Sequence, residues 1–558
     1  MKIFEGNKHS SLIKSVLGAH PIIQYYIEKL RVGEIIRSYV KSDKRLAIPV
    51  EDCVCLLIHN ILTEPLPLYK ISEWLEPLDM ESLGLGAYDA SAFNDDRLGR
   101  VLDALTKSNR KMIFFRIALR CIKIFELNCR HVHHDTTTVK LCGRYQSWHQ
   151  DPKADNGYSK DHRPDLKQLV LGINMVGDGA VLIGHDIYSG NRTDDTVHIS
   201  NWDRLRRLLQ TNDFIYTADS KLCTEANLSH IEFYGGQYIT VMPQTWKEDQ
   251  KFRELAQEGK VKWRLILKRK NNRQPNSVID KYYTTTTDYQ TDSKRRLVWI
   301  KSTQKAEIDR QTRSKQIERT LTALDLLNTK LNKYNLKRLS DIKKAVETIL
   351  AEHQITDLVC YSINKRTTLT KIYLKRGHPT ANSPTKTQRR IEYQLSYKIN
   401  KAELAKQSRT DGVFPLLTNN QVKAAKEILE IYKFQSFLEN RHSQLKTDLV
   451  VAPVFLKDPG RVLALLDLVI LSLCIATLME RDLRNGMRRN GLTSIPIYPE
   501  ERECQYPTAH SIIWVFRNVE NFEITDRENN LKEYFPAKLT SLQKQILNLM
   551  EVPMSLYA

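Results

Sequence analysis

No two of the nine cysteines form a CxxC pair, and most are scattered along the chain. That excludes a zinc ribbon and a disulfide framework, and it suits a reducing cytoplasm. The opening residues, MKIFEGNKHSSL, lack the apolar stretch of a secretory signal. Internal repeats and low-complexity tracts are missing as well. With 41% hydrophobic residues over 558 positions, the composition is that of a folded protein with room for two to four domains. One apolar run, VLALLDLVILSLCIATLM at 462–479, has the length of a membrane span. Asp467 interrupts it and RDLRNGMRR follows at once, so the run is expected to be a core helix.

What is present is positive charge, and it is concentrated. The net charge is +20, yet residues 245–410 alone hold 38 Lys and Arg against 17 Asp and Glu. The rest of the chain is close to neutral. An excess confined to one segment points to a polyanionic partner.

Residues 1–125 carry apolar positions at three- and four-residue spacing and read as mostly helical, with Asn94 as an N-cap. From 130 the texture changes. HVHHDTTTVKL, LVLGINMV and AVLIGHDIY are strand candidates, followed by a helix at 195–210, the strand FIYTADS, a helix near 222–232 and the strand QYITVMP. Three strands in a meander and then strands alternating with helices is the layout of a ribonuclease H-like α/β domain. Further strands are expected at KWRLILKRK, SVIDKYYTTTTDY and RRLVWIKS, and a helical hairpin over 306–352 with Ile317, Leu321, Leu324, Leu327 and Leu331 on one seam. Residues 376–390 read as a loop, and the chain is helical again after 420.

The stretch HVHHD puts His131, His133 and Asp135 on one face of a strand. The same HxHxD spacing opens the metallo-β-lactamase zinc motif. Position 136 is threonine where a further ligand would stand, and His378 lies in the basic segment, so His131 and His133 are expected only to pack or hydrogen-bond. Asp135 has better partners. Asp219 ends a later strand, where ligand sites collect in α/β sheets. In EILEIYKFQSFLENRHSQLKTDL, the residues Tyr432, Gln435, Glu439, His442 and Lys446 are spaced 3, 4, 3 and 4. On a helix they share an arc of about 80°. Three carboxylates, Asp135, Asp219 and Glu439, converging from two strands and a helix would make an oxygen-ligand site for two Mg²⁺ or Mn²⁺ ions, suited to phosphoryl transfer.

These residues resemble the DDE transposases of bacterial insertion sequences, in the group whose last acid lies in Tyr-x2-Arg-x3-Glu-x6-Lys. Here the motif is Tyr432, Gln435, Glu439 and Lys446, with glutamine in place of arginine. DTTTVKLCGRY, YSGNRTDD, DGVFPLLTN, VAPVFLKDPGRVLALL and RDLRNGMRRNGL fit the same group. AHPIIQYYIEKL with FNDDRLGRVLDAL resembles the helical domain that precedes the core in one subgroup.

The resemblance implies an α/β fold: a ribonuclease H-like core interrupted by a large basic insertion and preceded by a mostly helical N-terminal domain. The implied segments are 1–125 (helical, with DNA binding as a candidate role), 126–244 (core, first part), 245–415 (basic α+β insertion), 416–495 (core, second part, with the catalytic helix) and 496–558 (C-terminal region). It also implies a cytoplasmic, nucleoid-associated enzyme that cuts the inverted-repeat ends of its element and joins them to target DNA, as at least a dimer on DNA. Asp135, Asp219 and Glu439 would be catalytic metal ligands, and Tyr432, Gln435 and Lys446 would contact DNA. Lys268, Arg269, Lys270, Arg273, Lys294, Arg295 and Arg296 are phosphate-contact candidates in the insertion. Asn191 and Asp194 could line the site or simply form a turn. The alternatives are a ribonuclease H-like nuclease without strand transfer and an inactive DNA-binding derivative.

Overall fold

The computed structural model describes the chain apart from residues 1, 5–9, 42–46, 144, 146, 147, 149, 150, 158–162, 271–278, 375–383, 450–455 and 527–530. It forms two compact units, Met1–Thr240 with Glu430–Ala558, and Val241–Leu429. The fold is mixed α/β.

In the first unit, the helices His20–Lys29, Val32–Tyr39, Val50–Thr63, Asp95–Lys107 and Arg110–Ile124 carry the N-terminal region. Asn94 caps the fourth of these, its side chain accepting from Arg97 N at 2.9 Å. A small antiparallel sheet was not foreseen. Ser10–Val16 pairs with Glu520–Asp526, with Lys2–Phe4 and Leu531–Phe535 outside them.

The mixed sheet of this unit uses β1 (His131–Lys140), β2 (Gln168–Val176), β3 (Leu182–Ser189), β4 (Ile215–Thr217) and β5 (Gln237–Val241) in the order β3-β2-β1-β4-β5. The first three are antiparallel, and β4 and β5 run parallel to β1 and to each other. β2 is buried along its whole length, as its continuous apolar run demands. Helix α1 (His198–Leu209) links β3 to β4, and Glu225–Phe233 links β4 to β5. After the second unit come helix α2 (Ser436–Ser443) and helix α3 (Pro459–Arg489).

α3 begins where Asp458 accepts from Arg461 N at 2.9 Å and Pro459 takes the first turn. It is long and apolar enough to cross a membrane, but 89% of its apolar window is buried inside the protein. It packs against Val50–Thr63, Asp95–Lys107 and Ser541–Met550 as a core helix. Asp467, the charge inside the run, is held by Arg110 at 2.5 Å and His185 at 2.7 Å. A Cβ on Gly486 would stand 2.0 Å from Leu549 O, so glycine is what lets the last helix lie this close.

The second unit has an antiparallel sheet of β6 (Trp263–Lys270), β7 (Ile279–Thr285), β8 (Arg296–Ser302) and, further along the chain, Val413–Thr418, in that spatial order. The helices Thr303–Lys330 and Leu339–Glu352 form the expected hairpin. Ile317, Leu324, Leu327 and Leu331 meet Ile342, Val346 and Leu350 in its core. The sequence reading of 376–390 as a loop is corrected in part. Strands β9 (Val359–Tyr373) and β10 (Thr385–Ile399) pair over their full length as a two-stranded ribbon, so 385–390 is strand. Residues 376–383 lie outside the described residues.

Candidate active site

The parallel register of β1 and β4 matches His131 with Ile215, Val132 with Tyr216 and His133 with Thr217. Two residues beyond the last pair come Asp135 and Asp219. Both lie where β4 leaves the sheet, on strands spaced about 4.8 Å apart. Asp219 accepts from Lys221 N at 2.9 Å and so caps the short turn that follows it. Its carbonyl accepts from Thr240 Oγ1 at 2.6 Å, tying this corner to β5. Asp135 Oδ1 accepts from Thr136 N at 2.7 Å.

α2 packs against β1 and brings the third acid. His442 Nδ1 stands 3.7 Å from Asp135 Oδ2. Glu439 lies one turn earlier on the same helical face, exposed. Tyr432 registers all three carboxylates. Burial first, and then the charges of Asp219, Glu439 and Asp135, push its phenol up to about 12. As placed, no three His, Cys, Asp or Glu side chains among the described residues form a closed metal cage. The three acids are instead an open set of oxygen donors, the type that hard divalent cations take.

The Tyr432–Lys446 segment is not the continuous helix that its spacing suggests. One helix ends at Lys433, α2 begins at Ser436, and Gln444–Asp448 is a π-turn. Gln435 stands at the break. Its Nε2 donates to His134 O at 2.8 Å, and its Oε1 lies 3.1 Å from His133 Nδ1. Because the amide nitrogen is already donating, Nδ1 must carry the proton that bonds Oε1. Burial holds His133 neutral, with its value lowered to about 4. Gln435 therefore grips the strand beside Asp135 with both ends of its amide. Lys446, half-buried, sits in the π-turn, whose i→i+5 bonding departs from the α-helical spacing. His133 also packs on Phe434 at 5.2 Å, as the packing expectation for these histidines required.

Two residues that sequence reading did not single out fix α2. Arg441 is buried and donates to Glu480 at 2.6 Å, Gln444 at 2.7 Å, Ala180 O at 3.1 Å and Gly179 O at 3.2 Å. Glu480, fully buried on α3, also accepts from Arg484, Gln444 and Ala509 N. The signal was a lone arginine on the apolar side of one helix and a lone glutamate inside the apolar run of another. Asp194 accepts from Thr136 Oγ1 at 2.6 Å. Thr136 points to the opposite face of β1 from Asp135, so Asp194 supports the strand from behind. Asn191 is an exposed turn residue.

In the second unit, Lys268, Arg269 and Lys270 are exposed at the end of β6, and Lys294 is exposed in a turn. Arg295 is buried at 4% exposure. Arg296 donates to Lys423 O at 2.6 Å and to Asn420 O at 3.4 Å, a structural use of its guanidinium. Arg273 lies outside the described residues, as do residues 451–455 of VAPVFLKDPGRVLALL.

Residues 13–119 match the family model of a domain of unknown function, DUF4277. No curated protein sequence matches the chain. Among solved structures, a piggyBac transposase synaptic complex with hairpin DNA is 10% identical, over 95% of this chain and 80% of that one, with a TM-score of 0.37. A Mos1 transposase paired-end complex with the left transposon end and a pre-cleavage Mos1 transpososome are each 14% identical. They cover 39% of this chain and 66% of theirs, with a TM-score of 0.15. Overlaps this loose say nothing about the site.

Proposed function

We propose that the chain is a DDE-type DNA transposase of a bacterial insertion sequence, cutting the inverted-repeat ends of its element and joining them to target DNA. The observation that carries this reading is the pairing of Asp135 and Asp219 at matched steps of adjacent parallel strands, with the Glu439 helix packed on β1. The strand order β3-β2-β1-β4-β5 supports a ribonuclease H-like core, with 245–415 as its insertion and 1–125 as a preceding domain.

Asp135, Asp219 and Glu439 would hold two Mg²⁺ or Mn²⁺ ions. Bound there, such ions supply Lewis-acid activation of the attacking and leaving oxygens in an in-line displacement. The protein's own residues position the rest. Gln435 fixes the Asp135 strand, the Asp219 carbonyl is pinned by Thr240, and Arg441 locks α2 in place. The Tyr432 phenol, raised to about 12, stays protonated near neutral pH. It can donate a hydrogen bond to DNA but is a poor covalent nucleophile. Lys446 would contact a phosphate of the DNA. Joining two ends requires at least a homodimer on DNA, acting in the cytoplasm at the nucleoid.

The test uses the full chain, Mg²⁺ and a labelled duplex bearing the inverted repeat that flanks the gene. Wild type is expected to nick and join the ends. Asp219→Ala is expected to bind the duplex and lose both steps by about a thousandfold or more, the loss of several kcal/mol of charge stabilisation. Equal cutting by both proteins would refute the acid assignment, and cutting without joining would make the chain a nuclease.

A further inference from the structure

We propose that the β9–β10 ribbon reads the major groove of duplex DNA, with its even-numbered face turned to the base edges. The proposal rests on the DNA-binding part of the reading above and assigns that binding to an element.

The first support is charge. Residues 359–399 hold nine Lys and Arg and one acid, Glu392. This stretch belongs to the basic segment that the sequence set apart.

The second is shape. Each strand has 15 residues, so the ribbon is about 50 Å long at 3.4 Å per residue. A major groove about 12 Å wide admits a two-stranded β-ribbon. Its base is held firmly. Tyr361, Ile363, Tyr393, Leu395 and Tyr397 pack on the core of the helical hairpin. Asn332 bonds both main-chain groups of Tyr393, at 2.9 and 2.7 Å, and Asn328 does the same for Leu395 at 3.3 Å. Beyond this anchor, from Lys365 to Tyr373 and from Thr385 to Ile391, every residue but Thr368 is exposed.

The third is chemistry, and it chooses the face. In the paired register, even-numbered residues of both strands share one side. The odd side is committed to the hairpin core at its base and carries exposed Leu369 and Ile391 further out. The even side presents Asn364, Arg366 and Thr368 from β9 and Gln388, Arg390 and Gln394 from β10. Arginine pairs with guanine O6 and N7, and asparagine or glutamine with adenine N6 and N7. Glu392 lies 3.3 Å from Arg390 Nε and can orient that guanidinium. A surface meant only for phosphates would need lysines and arginines. This face interleaves them with amides and hydroxyls, which suits base edges. A-form RNA has too narrow a major groove for the ribbon, so the partner is DNA.

The experiment is a selection from random 40-bp duplexes by the full chain, followed by binding to the selected duplex premethylated at guanine N7. Wild type is expected to enrich a motif, and N7 methylation inside it is expected to block binding. Arg366→Lys with Arg390→Lys keeps the charge but loses the bidentate fork. It should bind random duplex within about threefold of wild type while losing about ten- to a hundredfold of its preference for the motif. Arg366→Ala with Arg390→Ala should lose the preference as well, and both pairs sit at exposed positions that leave folding intact.

The ribbon proposal is overturned if the lysine pair keeps the motif and its methylation pattern, if wild type enriches no motif, if duplex RNA binds equally well, or if the variants change only self-association. If wild type binds and cuts DNA while methylation has no effect, the ribbon proposal fails and the transposase reading stands. If the motif is read through the ribbon but nothing is cut, the reverse holds. If no duplex binds, both fall.

Discussion

The acid-bearing unit and the ribbon-bearing unit solve opposite problems. Around Asp135, Asp219 and Glu439, each candidate side chain is backed by buried structure: a strand register, a glutamine gripping the neighbouring strand, and the Arg441–Glu480 pair inside the core. Along β9 and β10, the polar groups stand exposed on a ribbon anchored at one end. A reacting centre must hold donors to within a fraction of an ångström. A surface for a long polyanion needs charge, reach and a choice of hydrogen-bonding groups. Substitutions should therefore cost stability and chemistry together in the first region, and binding alone in the second.

The sharpest break of that contrast is Glu480→Gln. It leaves Arg441 and Arg484 without their buried carboxylate partner and should cost about 3–5 kcal/mol in urea unfolding, with α2 loosened and cleavage reduced in step. The paired arginine substitutions on the ribbon should change stability by no more than about 0.5 kcal/mol in the same assay. Equal costs in both regions would dissolve the comparison.

Gln435→Ala is the next test. It removes two hydrogen bonds beside Asp135, for an expected loss of about 1–2 kcal/mol, and it should slow cleavage while leaving DNA affinity within about twofold. A fall in affinity with cleavage unchanged would return Gln435 to the DNA-contact role that its motif position suggested.

An effect of comparable size is in pH. Burial lowers His20 to about 3 and holds His59, 3.1 Å away, well below its usual range. A histidine with a lower value folded than unfolded takes up protons more readily when unfolded. Its contribution is thus intact above pH about 6.5 and is lost as the pH falls toward the folded value. His20 should cost up to about 2 kcal/mol at pH 5, seen as a falling melting temperature. A flat profile from pH 7 to 5 would contradict the burial.

Much of this was legible in the sequence because it was local. Asp135 and Asp219 sit in strand-like runs of their own, the meander-then-alternation order needs only chain direction, and the seam from Ile317 to Leu331 repeats every three or four residues. What stayed hidden depends on distant partners. At the break before Ser436, Gln435 reaches a strand some 300 residues earlier. Ser10–Val16 finds its sheet partner at Glu520–Asp526. The Arg441–Glu480 pair looks like two misplaced charges until the helices are packed. The ribbon escaped for a different reason. Only its base alternates apolar with polar residues; along the outer half both faces are exposed, so TKTQRR reads like a loop although it is strand.

The most direct test of the account is a Mn²⁺ titration of the full chain by electron paramagnetic resonance, for wild type and for Asp135→Asn, Asp219→Asn and Glu439→Gln. The account predicts saturable binding to wild type, weakened at least about tenfold by each of the three, since every lost carboxylate removes a charged donor from one shared site. Binding that is unchanged in any one of them would show that the three acids do not form one metal centre.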